Sequence, residues 1–117
     1  MAAPNIVNVA TITGKTAVQA IGTSATAIVT NSAASGKVFK INAIYVSNVD
    51  GTNNAEITLD LFRSSVAYRL ANTVVVPADA TLDVISKAIY LEEGDSLRLT
   101  ANAAGDLEAV CSYEEIS

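Results

Sequence analysis

The sequence predicts an all-β protein, built as a single antiparallel β-sandwich that is jelly-roll-like and has about eight strands. Three observations predict this class. Apolar and polar residues alternate with a period of two along most of the chain, whereas a helical period is hard to find. Turn signals recur about every 8 to 12 residues, a rhythm typical of sandwiches. The length of 117 residues provides for one hydrophobic core, so we expect residues 1–117 to form one domain.

The first quarter of the chain predicts strands, with one ambiguous stretch. The segment IVNVATIT (Ile6–Thr13) alternates and predicts a first strand. Residues 15–30 are rich in Ala and Thr, and we interpret them as two short strands around Gly22. A single helical turn is the alternative for this stretch.

The middle of the chain predicts three long strands, Lys37–Asn48, Ala55–Arg63 and Val66–Val76, which are rich in β-branched and aromatic residues. Strict alternation in the first of them places one set of side chains on a common face: Phe39, Ile41, Ala43 and Tyr45. The second strand alternates most regularly. Its inward set is Ile57, Leu59 and Leu61, and its outward set is Glu56, Thr58 and Asp60.

The rest of the chain predicts four shorter strands. They are Thr81–Ile85, Ala88–Leu91, Ser96–Ala101 and Leu107–Tyr113. Turn residues separate the strands of the whole series: a loop over Asn48–Asn54, a tight hairpin at residues 64–65, and turns at Pro77, Gly94 and Gly105. Pro77 cannot donate to a strand ladder and therefore marks a strand end or an edge.

The stretch YLEEGDS contains the densest group of acidic residues, Glu92, Glu93 and Asp95 around Gly94. Neighbouring strand residues point to opposite faces, so Glu92 and Glu93 cannot converge on one bond or one metal without a bulge. Gly94 tolerates the positive φ of a tight turn, and Asp95 can accept bonds from nearby amides. We interpret the stretch as a turn rather than an active site.

Motifs for catalysis and for metal binding are incomplete. The chain has no His, so it cannot form a Ser–His–Asp or Cys–His nucleophile. The tetrapeptide TGKT (Thr13–Thr16) resembles the end of a phosphate-binding loop, but Val9 stands where that loop needs Gly. The loop Asp50–Glu56 has oxygen-bearing side chains at alternate positions, Asp50, Thr52 and Asn54. However, Ala55 and Leu61 stand where an EF-hand needs Gly and Glu. We expect no enzyme activity, no cofactor and no metal.

Charge and cysteine content narrow the class further. Charged residues make up 16% of the chain, against about one quarter in an average soluble protein, and the net charge is −5. The 7 Lys and Arg residues are scattered, which argues against nucleic-acid binding. The N-terminus lacks the pattern of a secretion signal, and no stretch is apolar enough for a membrane helix, so we expect a soluble protein folded in a cytoplasm. We expect Cys111, the only cysteine, to be buried.

Two blocks of the chain carry a family resemblance. GKVFKINAIYVSNVDGTNNAEITLDLFRSS and VVVPADATLDVISKAIYLEEGDSLRLTANAAGDLEAVCSYEEI together resemble small virion proteins of tailed bacteriophages, notably marine ones. The similarity covers residues 36–116. The shared motifs are the turn and strand pattern of a β-sandwich rather than a catalytic signature.

The resemblance implies a non-enzymatic structural protein of a phage virion, assembled in the cytoplasm of a host bacterium. A capsid decoration (cement) protein is the leading role, in which a homo-oligomer, with a trimer favoured, binds the major capsid protein or other virion proteins. A neck, tail or fibre-associated module is the alternative. Such a module would bind a host glycan or receptor through exposed aromatics such as Tyr68 and Tyr90 or through residues 49–54.

The N-terminal residues 1–9 are the candidate contact with a capsid or another partner. They are apolar, uncharged in their side chains and begin near Pro4, as expected of an extended arm. The candidate contact residues are Ala2, Ala3, Pro4, Asn5, Ile6 and Val7. An ordinary first strand of the sandwich is the alternative for this segment.

Overall fold

A computed structural model describes residues 4–117, and these residues form nine strands in two antiparallel sheets that pack as a sandwich. This confirms the predicted all-β sandwich, with nine strands where the sequence predicts about eight. The strands are β1 (Ile12–Ile21), β2 (Thr26–Thr30), β3 (Val38–Asn48), β4 (Ala55–Arg63), β5 (Val66–Val76), β6 (Thr81–Asp83), β7 (Ile89–Leu91), β8 (Ser96–Ala101) and β9 (Leu107–Ile116).

The strand order is nested along the chain. The first sheet has the order β1-β9-β3-β6, with β7 also paired to β3, and the second sheet has the order β2-β8-β4-β5. Strand β1 therefore pairs with β9, β2 with β8, β3 with β6 and β7, and β4 with β5. This nested pairing of antiparallel strands is compatible with a jelly roll.

The hydrophobic core lies between the two sheets and is built mainly from Ile, Leu and Val. Ile44 and Val46 of β3 face Leu59 of β4 and Leu99 of β8 across the sandwich, and all four side chains are fully buried. Each such side chain contributes about 1.5–3 kcal/mol relative to an exposed one. The core therefore holds the two sheets in fixed relation, which makes the module rigid.

The N-terminal region differs from the prediction. The prediction of a strand at Ile6–Thr13 is wrong, because β1 begins only at Ile12 and continues to Ile21. Residues 10–11 only extend its ladder by bonding to Ser117 at the end of β9. The two strands predicted around Gly22 are confirmed as β1 and β2.

Strand β3 contains a β-bulge that overturns part of the predicted alternation. The register with β9 shifts between Ile41 and Ala43, so the inward set changes parity at this point. Phe39 and Ile41 are buried, but the next buried residue is Ile44 rather than Ala43. Tyr45, predicted on the face of Phe39, is consequently exposed to 46%.

Strand β4 places Asp60 on its outer face, as predicted, yet this carboxylate is fully buried. The neighbouring strands set Arg69 and Arg98 directly opposite Asp60, one on each side. The Arg69 Nη1 atom donates to Asp60 Oδ2 at 3.0 Å, and the Arg98 Nε atom donates to Oδ1 at 2.9 Å. The Arg98 guanidinium also stacks on the Phe62 ring, 3.9 Å from its centroid, and this layer of side chains covers the carboxylate.

The turns predicted from Gly, Pro and Ser are confirmed. Ser64 and Ser65 have φ values of 52° and 62°, so they form the two-residue hairpin with two positive φ angles that suits the twist of β4 and β5. Strand β5 ends directly before Pro77. Gly94 and Gly105 have φ values of 88° and 85°, which glycine adopts without strain.

Candidate functional site

Residues 92–95, called the acidic turn below, connect β7 to β8 and form hydrogen bonds both to one another and to other segments of the chain. The Glu92 N–H donates to Asp95 Oδ2 at 2.8 Å, and the Asp95 N–H donates to the Glu92 carbonyl at 3.0 Å. Asn31, at the end of β2, donates its backbone N–H to the Asp95 carbonyl at 2.9 Å and accepts from the Gly94 N–H at 2.8 Å. The predicted turn is thus confirmed, and its backbone is bonded to a second segment of the chain.

The side chains around this turn bond to further backbone groups. Asn31 is fully buried, and its Nδ2 atom donates to the carbonyls of Lys37 and Leu91 at 2.9 and 3.1 Å. The Glu93 carboxylate accepts the Gly36 N–H at 2.9 Å. The turn therefore fixes the β2–β3 connection rather than presenting Glu93 to a substrate.

Arg63, at the end of β4, neutralises the two other acids of this turn. Its Nε atom donates to Asp95 Oδ1 at 2.7 Å, its Nη2 atom donates to Oδ2 of the same carboxylate, and Nη2 also donates to Glu92 at 2.8 Å. The bidentate geometry is the strong form of the Arg–carboxylate pair. Burial opposes ionisation of Asp95, but the Arg63 guanidinium and the Glu92 N–H outweigh it and hold the pKa of Asp95 below its ordinary range. Asp95 in turn raises the pKa of Arg63.

A second charge cluster ties the end of the first sheet together. Glu115 on β9 pairs with Lys15 on β1 at 3.0 Å and with Lys37, which precedes β3, at 3.1 Å. Burial opposes ionisation of Glu115, but the two ammonium groups outweigh it and lower its pKa. Bonding to Glu115 correspondingly raises the pKa of Lys15. These three charges compensate one another across neighbouring segments of one sheet.

The Asp50 loop uses its ligand-like oxygens internally. The Thr52 N–H donates to Asp50 Oδ1 at 2.8 Å, and Asn53 Nδ2 donates to Oδ2 at 3.2 Å. The Thr52 N–H, together with Asn53, lowers the pKa of Asp50. Asn48, buried below the loop, accepts the Asp50 N–H at 2.9 Å. Both carboxylate oxygens thus already accept bonds from the loop itself.

Three further findings concern the chemistry of residues 4–117. Within this range, no three His, Cys, Asp or Glu side chains are grouped closely enough to hold a metal ion. The same range contains no helix with the length and apolar character to cross a membrane. Cys111 is fully buried, as predicted, and burial raises the pKa of its thiol to about 12.

The structure describes only part of the candidate contact segment. Ala2 and Ala3 lie outside them, whereas Pro4, Asn5, Ile6 and Val7 precede β1 on the surface. Their chain reverses direction at Asn5–Asn8, where the Asn8 N–H donates to the Asn5 carbonyl at 3.0 Å. The Val7 N–H also donates to the Asn5 side-chain Oδ1 at 3.0 Å. We call residues 5–8 the N-terminal turn.

The tip of the N-terminal turn is apolar and solvent-exposed. Ile6 is exposed to 50% and Val7 to 90%. Turn tips usually carry Gly, Asn, Asp, Ser or Pro, because these residues suit the backbone and remain hydrated. Two β-branched apolar residues at this place therefore require another explanation than turn chemistry.

A second apolar surface lies at the opposite edge of the sandwich, where β5 faces β6 and β7. Because β6 and β7 have only three residues each, they cover only part of the eleven-residue β5. Tyr68 lies opposite Leu61 and therefore shares the core-facing side of its sheet, yet it is exposed to 56%. Leu70 is exposed to 42% beside it.

Two adjoining depressions run along this edge, with volumes of about 420 and 300 Å³, and they share Leu70 and Val84. Val74 and Leu82 line the first depression, and Ile89 lines the second. We call the two together the β5–β6 groove. The sequence interpretation did not identify it, although Val66–Val76 carries apolar residues on both faces, a pattern that strict alternation of an edge strand does not produce.

The exposed tyrosines do not form one patch. Tyr68 borders the groove on the second sheet, whereas Tyr90 of β7 pairs with Lys40 in the first sheet and is exposed to 42%. Tyr45 is exposed on the outer face of β3. The three rings therefore lie at separate places around the module.

Comparisons with known proteins show the fold and no family. No family model matches the chain, and no curated protein matches it. Among solved structures, the chain is similar to a Bacillus endospore appendage protein from a novel family of disulfide-linked pili. The identity is 15%, over 92% of this chain and 88% of that chain, with a TM-score of 0.55. This similarity concerns the fold.

Two further solved structures are pentameric capsid proteins isolated from metagenomic phage sequences. The identities are 18% and 16%, each over 86% of this chain, with TM-scores of 0.45 and 0.43. The matches span 62% and 60% of those capsid chains. At these TM-scores the two similarities carry no argument about what this chain does.

Proposed function

We propose that the chain is a non-enzymatic structural protein of a bacteriophage virion, most specifically a capsid decoration protein that binds the outside of the shell and stabilises it. The phage assignment rests on the sequence resemblance over residues 36–116. One structural observation supports the mode of action: a rigid sandwich that exposes apolar side chains at two opposite edges, Ile6 and Val7 at one and Leu70 and Tyr68 at the other. Such exposed apolar areas on a small protein typically mark contacts with other proteins.

The polar groups support a structural role as well. Asp95 and Glu92 are paired with Arg63, and Asp60 is paired with Arg69 and Arg98. Because these carboxylates hold strands together, they are not free to transfer protons or to hold an ion. The function of the module then resides in its surfaces.

In the proposed mechanism, the sandwich acts as a rigid block that joins neighbouring subunits. The N-terminal segment Ala2–Val7 is the contact segment, with the major capsid protein or another virion protein as its partner. The protein acts as a homo-oligomer, with a trimer favoured because a three-fold assembly matches the three-fold positions of a shell. The low content of charge, 16% of residues, keeps the desolvation cost of such contacts small.

Two measurements test this function. Quantitative mass spectrometry of purified virions measures the copy number, which we expect to be comparable to that of the major capsid protein. Purified shells lacking the protein are then incubated with it, and we expect binding together with an increase in the temperature at which the shells open. A copy number typical of a neck or tail component, or no binding to shells, would overturn the decoration role.

A receptor-binding module of a tail or fibre is the second candidate, and the exposure of Tyr68 and Tyr90 favours it. Exposed aromatic rings stack on sugar rings. A glycan array with the native protein, compared with the Tyr68→Ala/Tyr90→Ala variant, tests this candidate. Glycan binding that disappears in the variant would support it, and an array without signal would exclude the glycan-binding form of it.

A further inference from the structure

The N-terminal turn is a preformed apolar projection. The Asn5 side chain and carbonyl accept the N–H groups of Val7 and Asn8, so the backbone of the turn is held by two hydrogen bonds. Downstream, Ala10 and Thr11 both donate to the Ser117 carbonyl at 2.9 Å, which fixes the base of the turn to β9. A surface whose conformation exists before binding loses little entropy when it binds.

The β5–β6 groove is a matching apolar depression. Leu70, Val74, Leu82 and Val84 line it with aliphatic side chains. Its charged lining residues are Asp83 in one depression and Lys87 in the other, so the groove is close to neutral. The side chains of the N-terminal turn are also uncharged, so the contact brings no like charges together.

The projection cannot fill the groove of its own chain. The first sheet has the order β1-β9-β3-β6, so three interstrand spacings, or about 14 Å, separate β1 from the β6–β7 edge. Along the strands, Ile116 lies opposite Val38 whereas Ile89 lies opposite Ile41, which adds about 13 Å from the level of Ser117.

The reach of the segment is shorter than this separation. The combined distance to the near end of the groove is about 19 Å, from about 14 Å across and about 13 Å along the sheet. Ile6 is four residues from Ala10, where the chain is fixed, and four extended residues span only about 13 Å. Val7 reaches less far still, because it is one residue closer to Ala10.

We propose that the Ile6–Val7 tip of one copy docks into the β5–β6 groove of a second copy. This inference deepens the proposed function, on which it rests, because it names a second copy of the chain as the partner of the contact segment. Since the projection and the groove lie at opposite edges of one sheet, the contact is heterologous, and repetition of such a contact produces a closed ring or an open chain. A ring is the form that a symmetric shell contact requires.

The first experiment uses the 117-residue chain without any shell, so that its outcome is independent of capsid binding. Two variants with one added cysteine each are prepared, Val7→Cys and Leu70→Cys, and both retain the buried Cys111. After mild oxidation of the mixture, we expect a disulfide-linked dimer that contains one copy of each variant. We expect no disulfide-linked dimer when either variant is oxidised alone. The mixture is necessary because residue 7 of one copy contacts residue 70 of another copy in the proposed contact.

Light scattering of the purified protein provides a second measurement. We expect an oligomer that dissociates on Val7→Ser and on Leu70→Glu. The control Val110→Glu, at a valine of β9 that is about as exposed as Leu70, leaves the mass unchanged. Circular dichroism of each variant establishes that it is folded. Oligomers that persist in both variants, or a native protein that is monomeric at every concentration, would overturn the inference.

Two further measurements distinguish other occupants of the groove. A double variant Val7→Cys/Leu70→Cys that forms its disulfide within one chain would show docking in cis and overturn the proposal. If the protein is monomeric alone and its Leu70→Cys variant becomes protected from alkylation when shells are added, the capsid protein is the occupant of the groove. In that case the inference fails while the decoration role stands.

Discussion

The acidic turn and the N-terminal turn differ in where their side chains point: the first bonds within the fold, and the second points to solvent. In the acidic turn, Asp95 is buried and both of its carboxylate oxygens accept hydrogen bonds from Arg63. In the N-terminal turn, Asn5 satisfies the backbone while Ile6 and Val7 point to solvent. The turn whose acidic residues suggest an active site is structural, and the turn without charged residues is the one that leaves an apolar surface exposed.

This difference indicates which side chains of the protein are available to bind a partner. Charged groups that are fully bonded within the fold have no capacity left for a ligand, so their number says little about activity. Exposed apolar groups, by contrast, gain free energy only when something covers them. The comparison predicts that changes in the acidic turn affect stability and that changes in the N-terminal turn affect association.

The largest expected effect is that of Arg63→Met. This change leaves the Asp95 carboxylate buried without its guanidinium, so we expect a loss of about 3 kcal/mol in the free energy of unfolding. Urea denaturation followed by circular dichroism measures it. Glu92→Gln is the control, since the Glu92 side chain is exposed to 66% and its ion pair should contribute less than about 1 kcal/mol. Equal losses for the two variants would contradict the structural role of Asp95.

Lowering the pH should weaken the same Arg63–Asp95 contact, with a smaller effect on stability than Arg63→Met. Asp95 and Glu115 both have pKa values below their ordinary ones of 3.8 and 4.5 in the folded state, whereas the unfolded chain has the ordinary values. The stability that they contribute is therefore complete above those ordinary values and is lost as the pH falls through the lower folded-state values. We expect the melting temperature of Asp95→Asn to depend less on pH in this acid range than that of the native protein. Identical slopes for both proteins would exclude Asp95 as a source of acid sensitivity.

Gly94→Val should destabilise the acidic turn through its backbone. Gly94 has a φ of 88°, which a β-branched residue adopts only with strain, and we expect a loss of about 2 kcal/mol. Space is not the cause, because no heavy atom outside residues 93–95 lies within 4 Å of the position that an added Cβ would take. Glu93→Gln is the matched control, since glutamine retains an oxygen that can accept the Gly36 N–H. A loss for Glu93→Gln as large as that for Gly94→Val would contradict a backbone origin.

Local turn chemistry made much of the fold predictable from the sequence. Gly94, Gly105 and Pro77 fall where the strands end, because their backbone preferences act within a few residues. Two features that the alternation of apolar and polar residues did not predict depend on neighbouring strands. The bulge after Ile41 shifts the register with β9, and the burial of Asp60 requires arginines from two other strands. Neither is encoded within the strand that shows it.

The candidate surfaces were predictable to different degrees for the same reason. Ile6 and Val7 belong to a segment whose apolar, uncharged composition already indicated a contact, although the strand that the sequence predicted there is wrong. The β5–β6 groove depends on the short length of β6 and β7, which leaves Leu70 uncovered from across the sandwich. A depression formed by two sheets requires their relative placement, which the pattern of either strand alone does not contain.

The smallest expected effect on stability is that of Ile6→Ser/Val7→Ser. Side chains exposed to 50% and 90% lose little buried area on replacement, so we expect the free energy of unfolding of the monomer to change by less than about 0.5 kcal/mol. Urea denaturation at a concentration below that of association measures this. Because Asn5 still accepts the N–H of residue 7, the turn itself is retained. A loss of more than about 1 kcal/mol would mean that the two side chains pack within their own chain, and the N-terminal turn would then be a structural element like the acidic turn.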